Sequence, residues 1–298
     1  MIDGNAIGAM AALGSAASWS LGAVLFNRLG ESLSSFAMTL VKGAMSVALL
    51  ALLTLLVGGY SVIGQEAFGY LALSGLLGIA LSDTFFFAAL KELGPRDIVL
   101  LATVGQVFTV VLAVVLLGER LPYSGWAGIG LILTGITVGM VAGPSEEGRS
   151  SVKGIVFGLI SVLSMSISVI LTKKGLEHVS TLYATTIRML AGTLGMLVVG
   201  IATRRIGQWV SPFKESRLLW RFLAAVCVIT FGGFWLAIVA FKYTTVAVAN
   251  SLISTEPIFI LPISAFVMRE KVTAQAVAGA VIATVGVVVL CTSGAVAG

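Results

Sequence analysis

Polar residues along this chain are too sparse to set a short alternating period. Between them stand ten apolar stretches, over residues 6–26, 33–57, 67–90, 97–117, 123–141, 154–171, 180–203, 222–241, 245–268 and 272–292. Each is close to the about 20 residues that cross a hydrocarbon core as a helix, and none alternates as a membrane barrel strand does. The pattern predicts ten membrane-spanning helices, with Gly94-Pro95 breaking the third stretch from the fourth. The first stretch is longer than the core of a secretory signal and follows an opening without Lys or Arg, so it reads as a retained span.

The pattern also repeats. Set against itself at an offset of 146, the chain pairs Gly8 with Gly154, Ser18 with Ser164, Ser20 with Ser166, Arg28 with Lys174, Ser34 with Ser180 and Lys42 with Arg188. The register then moves by five. At an offset of 151, Lys91 pairs with Lys242, Thr103 with Ser254, Glu119 with Glu270, Arg120 with Lys271, Gly128 with Gly279 and Gly135 with Gly286. Two halves of five spans follow, over 1–143 and 152–298, joined by a linker at 144–151; the extra five residues fall most simply in the connection 204–221. Because five is odd, the second half enters the membrane from the opposite side. The expected fold is an all-α integral membrane protein of ten transmembrane helices in two inverted five-helix repeats, an arrangement that supports alternating access to a midplane site.

Composition narrows the function classes. Charged residues make up 10% of the 298 positions, against about 25% in a soluble domain. That excludes a soluble enzyme, a disordered tail and a nucleic-acid binder. Glycine, at 35 residues, suits close helix packing in a bilayer. Cys227 and Cys291 lie inside apolar stretches and read as small core residues rather than a disulfide. No nucleotide-binding loop is present, so direct ATP drive is not expected. The single histidine, His178, falls in a connection, which argues against an intramembrane Ser-His enzyme and a multi-histidine metal site. The chain therefore reads as a multi-pass cell-membrane protein that is not an enzyme and needs no cofactor or metal.

The 18 Lys and Arg residues are scattered in short connections rather than gathered in a run, so they speak to orientation. Twelve fall on the side of the connections after spans one, three, five, seven and nine. Four, Arg120, Lys173, Lys174 and Lys242, fall on the side of the termini, and Lys42 and Arg188 lie within spans. Lys and Arg favour the cytoplasm, so the count puts both termini outside.

Several features recur together. They are the turn Leu117-Gly118-Glu119-Arg120-Leu121 followed by Gly128 and Gly135, its counterpart Met268-Arg269-Glu270-Lys271-Val272 followed by Gly279 and Gly286, a basic residue early in the second and seventh spans, and Glu256-Pro257 in the ninth. With them the chain resembles the drug/metabolite transporter (DMT) superfamily, and within it the ten-helix EamA-type permeases, over nearly its whole length. The resemblance implies a carrier of small organic solutes such as amino acids, nucleosides, sugars or drugs, usually an exporter. It implies a pathway lined mainly by spans one, three, four, six, eight and nine, and both termini inside, against the charge count. The first half departs from the pattern, since Gly105-Gln106 stands where the second has Glu256-Pro257.

Four charged residues lie within spans, Lys42, Asp83, Arg188 and Glu256, where each costs about 2.5 to 3.5 kcal/mol to insert. Lys42 is eight residues from Ser34 and Asp83 eight from Lys91, about 12 Å below one face. Arg188 and Glu256 are eight and eleven residues from the other face. Depth suggests two structural ion pairs, Lys42 with Asp83 and Arg188 with Glu256. The competing reading makes Asp83 or Glu256 a substrate or proton site whose partner changes during the cycle. Glu256 is the stronger candidate, because Pro257 removes a backbone donor beside it.

Uncharged pathway candidates are Thr103 and Gln106 on the fourth span, Ser161, Ser164 and Ser168 on the sixth, and Asn250 and Ser254 on the ninth, each also readable as helix packing. Trp19 and Trp235, deep in the first and eighth spans, are candidates for an aromatic wall with Phe86. Glu119 and Glu270, just past the ends of spans four and nine, read as partners of nearby cations or backbone donors, with gating as the alternative.

Together these features favour a secondary transporter that moves a small organic metabolite or drug by alternating access. Its expected partners are a small-molecule solute, membrane lipids and protons as a coupling ion, with no nucleic acid; a monomer and a homodimer are both compatible. A lipid-carrier flippase or a channel-like protein of the same fold is the alternative, although no ring of charges or filter sequence marks a channel.

Overall fold

The computed structural model describes residues 4–30, 33–57, 63–141, 151–256, 258–259 and 274–292. Its helices are α1 (Gly4–Gly30), α2 (Ser35–Val57), α3 (Gln65–Gly75), α4 (Asp83–Leu117), α5 (Tyr123–Val141), α6 (Val152–Gly175), α7 (Thr181–Ala202), α8 (Ile206–Val210), α9 (Ser216–Cys227), α10 (Leu236–Tyr243), α11 (Val246–Ile253) and α12 (Ala274–Thr292). Two π-helical segments, Leu76–Ser82 and Val228–Trp235, join α3 to α4 and α9 to α10. Among the described residues six stretches are long and apolar enough to cross a membrane, and shorter apolar helices cover Gly105–Leu117, Tyr123–Val138 and Val277–Leu290. The span expected over 245–268 is described only through 259.

Two sequence expectations need correction. The backbone stays helical through Gly94-Pro95, so the expected break is not a loop. The chain nevertheless reverses there. Before it, Leu71, Ser74 and Leu93 meet Gly175, Ser168 and Gly154, running antiparallel to α6. After it, Leu101, Gly105 and Thr109 meet Gly158, Val162 and Ser166, running parallel. Proline lacks the N–H that a new helix leaves unpaired in its first turn, so a second span can start without an intervening coil. The connection 204–221 is likewise not a loop but α8, a 3₁₀ turn Ser211–Lys214 and the start of α9. Trp209 and Phe213, four residues apart and both buried, fasten it to the body.

The inverted repeat is visible in the packing. α2 and α7 cross antiparallel, with Gly43 against Thr193 and Thr54 Oγ1 3.4 Å from Thr186 Oγ1. α5 and α12 also cross antiparallel, with Gly128 against Gly286 and Leu290, and Gly135 against Gly279 and Ala283. Exchanging the halves preserves these further neighbours: α3 packs on α6 as α9 packs on α1, and α4 packs on α6 as α10 and α11 pack on α1.

Individual hydrogen bonds repeat as well. The Ser20 hydroxyl is shared between the carbonyls of Ala16 (2.9 Å) and Glu256 (2.6 Å). Its mate Ser166 is shared between those of Val162 (2.8 Å) and Gly105 (3.0 Å). Ser82 Oγ donates to the Ser161 carbonyl at 3.0 Å; in the mated pair the direction reverses, Ser15 Oγ donating to the Gly233 carbonyl at 2.9 Å. Lys91 Nζ donates to the Leu33 carbonyl, as Lys242 Nζ does to that of Val179. The two π segments occupy corresponding places in the third and eighth spans.

Candidate functional site

Small residues decide which polar groups meet at the interface between halves. A Cβ on Gly75 would lie 2.2 Å from the Arg188 carbonyl oxygen, and one on Gly78 would lie 2.3 Å from Ser168 Oγ. Without these glycines α6 and α7 could not close on the third span. Closure brings Arg188 Nε to Ser74 Oγ at 2.9 Å and Nη2 to Ser168 Oγ at 3.0 Å, while Ser168 Oγ donates to the Ser74 carbonyl at 2.7 Å. The hydroxyls sit beside a π segment, whose wide turn disturbs the regular backbone ladder and is often found at functional sites.

Asp83 follows that π segment directly. Lys42 Nζ donates to Asp83 Oδ2, and the two residues are only 1% and 4% exposed. The ammonium also lies 4.7 Å from the Phe234 ring centroid and 5.8 Å from that of Phe87, placing the cation against the negative faces of both rings. Phe234 occupies the position in the second half that Asp83 holds in the first, at the same offset of 151. One acid therefore serves a site built twice. Arg188, the mate of Lys42, lies within electrostatic reach of Asp83 but is bonded to serines. The expected Arg188–Glu256 pair is not formed. Among the described residues the Glu256 carboxylate has no ion-pair or hydrogen-bond partner, and Glu256 is held instead through its backbone carbonyl, by Ser20.

These groups face a cavity of about 190 Å³ between the halves, roughly an order of magnitude above the space one water needs. Spans one, three, four, six, eight and nine form its wall, and spans two and seven each add one cation, Lys42 and Arg188. Asp83, Gln106, Asn250, Glu256, Trp19 and Phe86 all line it. Trp19 packs edge-on against Phe234 with centroids 4.9 Å apart. Asn250 Nδ2 donates to the Gln106 carbonyl at 3.2 Å, tying span nine to span four across the repeat axis.

Other candidates lie elsewhere. Trp235 turns away, its Nε1 donating to Thr181 Oγ1 at 3.2 Å. Ser254 donates to the Asn250 carbonyl at 2.7 Å and borders a separate void of about 10 Å³, too small for a solute. Ser164 is buried outside the wall. The Thr103 side chain and Glu270 lie outside the described residues.

A model of the EamA-like transporter family matches residues 6–140 and again 152–292. The chain belongs to this family. An uncharacterized transporter of Clostridium kluyveri is 23% identical over 229 residues, covering 74% of this chain and 71% of its own. A solved crystal structure shares the fold at a TM-score of 0.70 and 15% identity, over 96% of this chain and 95% of that one. The protein is thus a multi-pass membrane transporter.

Near the start of α11 a residue of the first half is bonded to the backbone of the second. Glu119 Oε1 and Oε2 accept from the N–H groups of Val246 (2.7 Å) and Ala247 (2.9 Å), capping α11 and placing an anion at the positive end of its dipole. Lys173 Nζ donates to the carbonyls of Phe241 (2.6 Å) and Thr244 (3.0 Å). Glu119 is therefore a backbone cap, the first of the roles its position suggested. Glu119→Ala should lower stability by about 1 to 3 kcal/mol, the cost of stranding charge-assisted donors, and Glu119→Gln by less. Thermal unfolding in detergent checks both.

Ser74, Ser82, Thr109, Ser166, Phe87 and Phe234 escaped sequence reasoning as site residues. The repeat held the missing signal for two of them: Ser166 is the mate of Ser20, and Phe234 is the mate of Asp83.

Proposed function

We propose that the protein is a secondary transporter that carries a small organic metabolite by alternating access, with net movement outward and protons as the coupling ion. The observation that carries this reading is the cavity on the repeat axis, where two cations and two carboxylates converge. Lys42 and Asp83 neutralise each other, and Arg188 balances Glu256, so the wall has no net formal charge. A solute without net charge, neutral or zwitterionic, fits it best. The aromatic side chains of Trp19, Phe86 and Phe234 supply the apolar part of the wall. Inverted repeats supply the motion, because two packings related by the exchange of halves open the same site to opposite faces.

Glu256 is the group free to bind solute or proton, since Lys42 already holds Asp83. In proteoliposomes, wild-type transport should saturate, show counterflow and respond to an imposed pH gradient. Glu256→Gln should reduce gradient-driven flux at least about tenfold, equivalent to about 1.4 kcal/mol, while leaving folding intact. Unchanged flux and unchanged pH dependence would limit Glu256 to a structural part. Flux that does not saturate would favour a channel.

A further inference from the structure

The two halves differ most in the connection between their second and third spans. In the first half residues 58–70, this connection and the start of the next span, have no Lys or Arg; their counterpart, 204–221, is five residues longer in register and carries Arg204, Arg205, Lys214, Arg217 and Arg221. These five are exposed, and among the described residues none forms a salt bridge. Glu215 is the one acid between them.

The segment is a built platform rather than a tail. Trp209 is buried and stacks on Phe36 with centroids 5.2 Å apart and rings 12° from parallel. Phe213 is buried edge-on against Phe222 at 4.8 Å. Leu218, Leu219, Phe222, Ala225 and Val226 turn α9 toward the body. Arg217, Trp220 and Arg221, spaced i, i+3 and i+4, then share its outer face, and Trp220 is 67% exposed. Arg204 takes a left-handed backbone, φ 55°, which glycine adopts freely and arginine does not. A charged side chain is kept there against the backbone's preference.

We propose that this surface binds the phosphodiester headgroups of anionic phospholipids. Arginine's planar fork matches a phosphate in two directions. A tryptophan between two arginines, at the mouth of an apolar span, suits the headgroup layer, and a fixed polybasic surface there attracts anionic lipid. A soluble acidic partner would leave the exposed indole without an apolar environment; a lipid headgroup with its acyl boundary supplies both.

The test uses the full chain in nanodiscs of phosphatidylcholine alone or with phosphatidylglycerol, and reads two signals. Retention of phosphatidylglycerol over phosphatidylcholine by native mass spectrometry should favour the anionic lipid at least about tenfold, and should fall to parity in the variant with all five basic residues replaced by Gln. Quenching by brominated lipid, taken as wild type minus Trp220→Phe, should be stronger with brominated phosphatidylglycerol than with brominated phosphatidylcholine. Retention of the preference in the five-residue variant would overturn the assignment. Equal stabilisation of the wild type by free glycerophosphate would make this a site for soluble phosphate esters and overturn it too. The replaced residues are exposed and remote from the cavity, so the variant should fold and show counterflow as the wild type does.

Discussion

Asp83→Asn should destabilise the protein by about 3 to 5 kcal/mol, the cost of leaving one member of a buried ion pair without its partner. Lys42 is 1% exposed and its ammonium has the Asp83 carboxylate as its anionic contact. The faces of Phe234 and Phe87 attract a cation but accept no proton from it. Asparagine keeps the shape and an acceptor but removes the charge, so the loss is electrostatic rather than steric. The double variant Lys42→Met/Asp83→Leu should recover most of that loss, because apolar replacements of similar volume avoid the desolvation that both ions suffer. Unfolding by heat, followed as loss of the monodisperse peak in detergent, gives the ordering: wild type and double variant close together, Asp83→Asn well below. Equal melting of Asp83→Asn and wild type would show that water reaching the cavity solvates Lys42, and would remove the pair from the structural core.

Transport should separate the same variants differently. If the pair only holds the fold, the double variant transports. If Asp83 passes between Lys42 and Arg188 as the halves exchange packing, the double variant is folded and inactive. The geometry makes this comparison informative, since Lys42 and Arg188 are repeat mates and a single carboxylate lies within reach of both.

Depth and azimuth explain which parts of this site were legible in the sequence. Counting residues from the membrane faces gives depth, and depth alone matched Lys42 to Asp83. It equally matched Arg188 to Glu256, and there it failed. Two glycines, Gly75 and Gly78, draw α7 against the third span and rotate the guanidinium toward Ser74 and Ser168. Nothing in a hydropathy pattern encodes that rotation. The π segments were invisible for a related reason: a widened turn changes side-chain register without changing apolar character. The connection 204–221 misled through its charge and Pro212, although Trp209 and Phe213, four apart, carried the helical spacing that fastens it. The repeat itself was legible because mates share contacts, and a serine with two carbonyls to bridge is retained in both halves, as Ser20 and Ser166 are.

The glycines of α5 and α12 give the second large effect. Gly135→Val should force α5 and α12 apart and leave little monodisperse protein. A Cβ at Gly135 would stand 2.4 Å from the Ala283 nitrogen and 2.5 Å from the Gly279 carbonyl oxygen. Both are backbone atoms of a facing helix, so no rotamer change relieves the clash, and overpacking of this kind costs about 1 to 3 kcal/mol or more. Gly286→Val meets the Ile132 nitrogen at 2.6 Å and should behave alike, as its mate. Gly130 is the control, on the same helix with nothing within 4 Å of its Cβ position. Gly130→Ala should be neutral or stabilising, by up to about 1 kcal/mol through helix propensity. Gly130→Val, expected to melt far closer to wild type than Gly135→Val, separates the packing from the residue type by placing the same side chain where its Cβ meets nothing. α5 and α12 pack chiefly on each other, so the clash strikes the bond between the two halves rather than the cavity wall. Full stability of Gly135→Val would mean that the pair can part without cost, and that the antiparallel crossing of α5 and α12 does not hold the inverted halves together.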